Sequence, residues 1–511
     1  MPAHARATAH VLALTLTAAL LTAPAASAQR QLGSISFPNS GAPAAQADFL
    51  EGVLLLHSFE FGDAASAFKR AQEADPDFAL AYWGEAMTYN HPLWQEQDGN
   101  AARAALARFD ARGAVPGSER EAAYLDAVRT LYGQGSKSER DRRYMEAMRR
   151  LHETWPDDLE ARTFYALSIL GSTDGTRDFA TYMQAAAVAQ PAFDANPDHP
   201  GAAHYLIHSF DDPVHAPLGL PAARAYSEIA PGAAHAQHMT SHIFVALGMW
   251  NDVVAANVRA RDVQNGLLAQ RGGRPNVCGH YTSWLHYGWL MQGRPEAATG
   301  GMDDCMARMR DDPSPAEQRY FVAMRARQVL DLEDWSAAGR YVADLSGNPW
   351  ADGRQAFVTA FAAARTGEPA RTEALLPRLG DPDADPRIHV EVLELRALLA
   401  LLDRDADEAV ALARQAAEIE EGLPFEFGPP ASLKPPHELL GDILLEVGRA
   451  DEAVEAFRAS LRFTPGRTLS LMGLSVAATA AGQHDVAADA EARLDAAWAN
   501  AEPGFRERVG R

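Results

Sequence analysis

The chain has 511 residues, enough for two or three domains or one long repeat array. With 46 Lys and Arg against 68 Asp and Glu, its formal net charge of −22 speaks against nucleic acid or an anionic membrane surface as partners and favours cations. Two cysteines are too few for a disulfide scaffold or a thiolate metal site.

Residues 1–28 carry a short basic start, an apolar run from Val11 and the small-residue site Ala26-Ser27-Ala28. That pattern is expected of a signal peptide cleaved before Gln29, and it implies a periplasmic or secreted protein. No later stretch reaches about 18 uninterrupted apolar residues, so no membrane span is expected. Residues 29–47, "QRQLGSISFPNSGAPAAQA", read as a flexible leader. From residue 48 onward apolar residues recur with the 3.6-residue period of amphipathic helices, and strand signals are nearly absent. The expected fold class is all-α.

The punctuation of these helices repeats. "FGDAASAFKRAQEADPDFALAYWGEA" carries Ala64, Phe68, Ala71 and Pro76, and "GRADEAVEAFRASLRFTPGR" carries Gly448, Ala453, Phe457 and Pro465. This resembles the tetratricopeptide repeat, a helix–turn–helix unit of about 34 residues that stacks into a superhelical solenoid. Pro197 and Pro231 are separated by the length of one such unit. The resemblance implies an N-terminal solenoid over residues 48–310 and a C-terminal one over 311–511, with a concave groove suited to a peptide or protein partner. Two stretches look like interruptions: an insertion at 95–120 and a Pro-rich loop at 422–437 that cannot be helical throughout and is long enough to fold over the groove.

Histidines concentrate in one region. Nine of the 17 lie within residues 199–286, including three in "HAQHMTSH". In the resembled repeat, the first helix of each unit lines the concave surface. The seventh, eleventh and fifteenth positions after the boundary proline then share one face of that helix. From Pro197 these are His204, His208 and Asp212; from Pro231 they are His238, His242 and Ala246; from Pro76 they are Trp83, Met87 and His91. His57 holds the same register one unit before His91. Two HxxxH pairs at equivalent positions of consecutive units present imidazoles one helical turn apart, the spacing with which two nitrogens reach one ion. His57, His91, His204, His208, His238 and His242 are therefore the candidate ligands of a metal centre, mononuclear or dinuclear. Imidazole-only coordination favours a transition metal such as copper or zinc over calcium or magnesium.

Around this set, Asp211, Asp212, His235 and His286 are candidate residues for orienting the ligands. His280 stands as far before Gly293 as His235 stands before Gly248, so these two are equivalent in register. Glu85 is a weak candidate for a catalytic carboxylate, the plainer alternative being a buried hydrogen bond. Cys278 begins one helix and Cys305 ends its antiparallel neighbour, so a disulfide between them is expected. Two functions remain open from sequence: a metal-dependent enzyme or metal-binding protein, and a scaffold that captures a peptide or protein without catalysis.

Overall fold

The computed structural model describes residues 30–175 and 177–508. The signal peptide expected over residues 1–28 lies outside them. The chain is an all-α solenoid of antiparallel helix pairs, tetratricopeptide-like in architecture, and the described residues from Gln31 onward form one compact unit. The pairs are α1 Gln46–His57 with α2 Phe61–Ala74, α3 Ala79–Met87 with α4 Gly99–Asp110, and α5 Glu119–Leu131 with α6 Lys137–Thr154. They continue with α7 Leu159–Gly171 and α8 Phe179–Ala195, α9 Pro200–Phe210 and α10 Ala216–Ile229, and α11 Ala234–Ala246 and α12 Trp250–Gln270. Then come α13 His280–Met291 and α14 Pro295–Arg308, with α15 Pro315–Leu330 opening the C-terminal half. Most helices pack on the next, α5 reaching back to α3 instead of α4, and the first helices of successive pairs stack, α3 on α5, α7 on α9, α9 on α11 and α13 on α15. No helix among the described residues is long and apolar enough to cross a membrane.

A small–large–small contact explains why the pairs close. Phe68 on α2 is fully buried between Gly52 on α1 and Gly84 on α3, which precede and follow it at equal distance in sequence. A Cβ at Gly84 would lie 2.2 Å from the Phe68 ring, so only glycine lets the three helices approach. The same spacing returns near the other end, where Phe457 fills the space against Gly441 and Gly473. The recurrence is the packing counterpart of the sequence repeat.

Three expectations need correction. Residues 31–42 are a packed segment rather than a flexible leader. Phe37 is 3% exposed, with ring centroids 5.4, 5.8 and 5.2 Å from Phe49, Trp83 and Tyr124, and Ser34 N–H donates to the Asp198 carbonyl at 3.0 Å. One aromatic ring anchors a stretch that is otherwise poor in large apolar residues. Residues 95–120 are no insertion either. They supply α4, the partner helix of α3, which buries Ala102, Ala105, Leu106 and Phe109 and is capped by the Asp98 carboxylate. Nor does the solenoid break at residue 310, because α15 packs on both α13 and α14 and Trp250 Nε1–H donates to the Gly466 carbonyl at 2.8 Å.

Cys278, just before α13, is disulfide-bonded to Cys305 on α14, with Cα atoms 4.7 Å apart. The Pro-rich segment 422–435 is irregular, and a helix resumes at Pro436. It is held down by Arg327, which donates to the carbonyls of Pro430 and Leu433. Gly84→Ala and Gly473→Ala should each destabilise the fold by about 1–3 kcal/mol, since the buried ring of Phe68 or Phe457 must shift to admit the methyl group. Urea unfolding measures this, and an unchanged midpoint in both variants would contradict the packing described.

Candidate metal centre

The helices α9 and α11 are the first members of adjacent pairs, so the repeat places His204 beside His238 and His208 beside His242 on the inner surface. All four are buried, His204 and His238 at 0%, His208 at 4% and His242 at 3% exposure. His235, in the first turn of α11, leans toward α9, and His280, the first residue of α13, leans toward α11. The nitrogens sort into two all-imidazole groups, His204–His208–His235 and His238–His242–His280, whose ligand atoms lie within 4.8 Å of one another in each group. The groups adjoin: ring centroids are 6.1 Å apart for His208 and His242, and 6.2 Å for His235 and His238.

Hydrogen bonds decide which nitrogen carries the proton. His204 Nδ1 is 2.6 Å from the His57 carbonyl, which can only accept. His242 Nδ1 is 2.6 Å from the Asp211 carboxylate. His238 Nδ1 is 2.7 Å from Asn257 Oδ1, whose orientation is set by the Asn257 amide donating to the Val253 carbonyl. In all three rings Nδ1–H is the donor, so a neutral ring has its lone pair on Nε2. The Nε2 atoms of His204, His208 and His235 are buried without a hydrogen-bond partner. Those of His238 and His242 face each other at 3.1 Å. With both rings neutral, two lone pairs at that distance repel unless a proton or a metal ion stands between them. Two nitrogens bound at about 2.0–2.1 Å to one tetrahedral ion are themselves roughly 3.3 Å apart.

Protonation is opposed at five of these rings. Burial, reinforced by neighbouring imidazoles, pushes His204 down to about 3 and holds His208, His235 and His238 well below the ordinary histidine value; burial likewise takes His280 to about 3. Those five are neutral at pH 7, the state a metal requires.

Aromatic rings enclose the two groups. Trp284 lies 4.4 Å from His242 and 4.7 Å from His238, and Phe427, from the Pro-rich segment, lies 5.4 Å from His242. Phe59 packs on the other group, 4.4, 5.8 and 5.6 Å from His204, His208 and His235. Its φ is +54°, a left-handed conformation that costs a bulky residue of order 1–3 kcal/mol and persists only where the surroundings impose it.

His57 belongs to a different constellation. Its Nε2 is 2.7 Å from Glu160 Oε2, its Nδ1 is 3.0 Å from the Tyr205 hydroxyl, and His199 Nε2 lies 3.3 Å from Glu160 Oε1. The spacing of this third group would suit an ion. The tautomers do not, because His199 Nδ1 accepts the Ala202 N–H at 3.2 Å, so the proton of a neutral His199 sits on Nε2, the nitrogen that faces Glu160 at 3.3 Å.

Of the remaining candidates, Asp211 lies against His242 Nδ1, and His235 stands among the converging imidazoles rather than behind them. His91 is not in the centre. Pro92 ends the helical run, α3 stops at Met87, and His91 falls in a short bridge with Glu96–Gln97, stacked at 4.1 Å on Phe61. Asp212 binds Arg177 at 3.1 Å and His215 at 2.9 Å instead of an inward histidine. His286 turns away to Gln328 at 2.9 Å. Glu85 is a buried structural acceptor for Gln72, Tyr89 and Arg108. Sequence reasoning does not find His199, Glu160 or Asn257. His199 and Asn257 lie in the histidine-rich stretch, but neither Asn257 nor Glu160 carries a local signal.

No family model and no curated protein matches the chain. Among solved structures it is similar to human IFIT1 bound to m7Gppp-AAAA (13% identity, 90% of each chain, TM-score 0.34) and to yeast Tom70 (11% identity, 86% of this chain and 89% of that one, TM-score 0.33). It is also similar to the Cut9–Hcn1 hetero-tetramer (11% identity, 93% and 78%, TM-score 0.31). Likeness this low adds no argument to the helix pairs described above.

His286, off the centre, reports acid sensitivity separately. Burial lowers it from 6.5 to about 4, so the unfolded chain takes up the proton first and stability fades as pH falls from about 6.5 toward 4. His286→Gln should remove about 2 kcal/mol of the loss between pH 7 and pH 5. Denaturant unfolding of the metal-free protein at both pH values measures it, and an equal loss in variant and wild type would refute the assignment.

Proposed function

We propose that the protein is an exported metalloprotein whose solenoid holds a dinuclear, all-histidine centre of copper or zinc. The observation that carries this reading is that the Nε2 atoms of His238 and His242 face each other at 3.1 Å, with both Nδ1 atoms bonded to acceptors elsewhere. His238, His242 and His280 would hold one ion, and His204, His208 and His235 the other. Nitrogen-only ligation suits copper and zinc, and the acidic chain attracts cations.

Three imidazoles leave an ion an open position for water or a substrate atom, so the centre fits a metal-dependent enzyme as well as a metal-binding protein. Asp211 and Asn257 fix the ring orientations and raise ligand basicity. Trp284, Phe427 and Phe59 exclude water from the rings.

Elemental analysis of the purified protein should find about two ions per chain. His238→Ala with His242→Ala should lose one of them. It should also lose the corresponding metal-dependent stabilisation, about 2.7 kcal/mol per site at a free metal concentration 100 times Kd. The helical fold should survive. If chelator shifts neither melting midpoint and no metal co-purifies, the reading falls and a protein- or peptide-binding scaffold takes its place.

A further inference from the structure

We propose that Glu160 is the buried counter-charge of the His204–His208–His235 ion, a positioning residue that acts through His57; this rests on the metal centre proposed above. Glu160, the second residue of α7, is 0% exposed. Among the described residues it has no lysine or arginine ion-pair partner, only the imidazoles of His57 and His199. Burial raises a lone carboxyl, yet these rings hold Glu160 down at about 2, so it is an anion at neutral pH. The His57 ring donates to Oε2 at 2.7 Å, and His199 Nε2 faces Oε1 at 3.3 Å. Tyr205 O–H donates to His57 Nδ1 and leaves the His57 proton on Nε2 toward Glu160, as the Ala202 N–H does for His199.

A dry carboxylate whose only partners are imidazoles is costly unless further positive charge stands near it. Such a charge has a place. His57 is the last residue of α1, so its carbonyl has no helical partner and accepts His204 Nδ1–H at 2.6 Å. The His57 ring is clamped between Glu160 and Phe164, stacked on the latter at 4.7 Å. One residue thus joins the carboxylate to a ligand of the first ion. The second ion has the same device in shorter form, Asp211 directly on His242 Nδ1 at 2.6 Å. Imidazoles ligate as neutral groups and supply no charge of their own, so each ion relies on a nearby carboxylate for neutralisation.

Glu160→Gln tests this, because one imidazole can change tautomer to accept from the amide while the shape is kept. Zinc and, under anaerobic conditions, copper(I) are titrated against a competing chelator in wild type and variant. The number of bound ions should be unchanged. Zinc affinity of the first site should fall about tenfold or more, as expected of a unit charge removed from a poorly screened interior. Copper(I), with half the charge, should lose only about the square root of that factor. The metal-free variant should melt no lower than metal-free wild type, since a buried anion has gone. Equal losses for the two ions, or none, would overturn the proposal in favour of a purely structural Glu160. A third ion in wild type that the variant loses would overturn it in favour of a metal site at His57–Glu160–His199. Should Glu160→Gln fail to fold, Glu160→Met, apolar and similar in length, is read in the same way. A wild type that binds no ion removes the metal centre itself and this inference with it.

Discussion

The centre depends on where the histidine protons are. A buried imidazole is an amphoteric group with one donor and one acceptor, and the interior decides which nitrogen is which. Here a carbonyl, a carboxylate and an amide oxygen each take the Nδ1 proton of a ring on α9 or α11, which leaves Nε2 bare and turned inward. Burial then prevents a second proton from quenching the lone pairs of His204 and His238. Without the outer acceptors the same residues would be an ordinary hydrogen-bonded histidine cluster. With them, the inner surface is an array of electron-pair donors facing one another.

The solenoid turns a sequence period into this array. A helix presents every fourth residue on one face, and stacking units of equal length sets the next helix alongside in the same phase. The pairs His204/His208 and His238/His242 are consequences of that geometry, secured by close approaches of the kind seen at Gly52, Phe68 and Gly84. Superhelical closure adds the rest. The contact of α1 with α9 carries His57 and its carbonyl to His204, and the segment after residue 421 brings Phe427 over His242. Strain accumulates at the same place: Phe59, held in a left-handed conformation, wedges its ring against three of the imidazoles.

The negative charge of the chain has a local counterpart. Asp211 and Glu160 stand behind the two groups, one in direct contact with a ligand ring and one through His57. Arg177 meanwhile neutralises Asp212 and removes it from the set. Neighbouring aspartates in one turn thus have unlike fates, because only one of them is reached by a guanidinium.

The sequence by itself determined what is periodic. The all-α class, the unit length and the shared face of the two HxxxH pairs follow from the helical period and the repeat period, which local geometry converts directly into position. Register failed where that geometry is interrupted. Pro92 cannot continue α3, so His91 leaves the inner face. The packed leader, the α4 helix within 95–120, the turning away of His286 and the burial of Glu85 were likewise settled by neighbours remote in the chain. Glu160 lies 103 residues from His57, and no local pattern marks the pair. Only the tertiary structure could decide it, because the pairing exists by virtue of two helix turns closing on one another, a long-range contact that no residue spacing encodes.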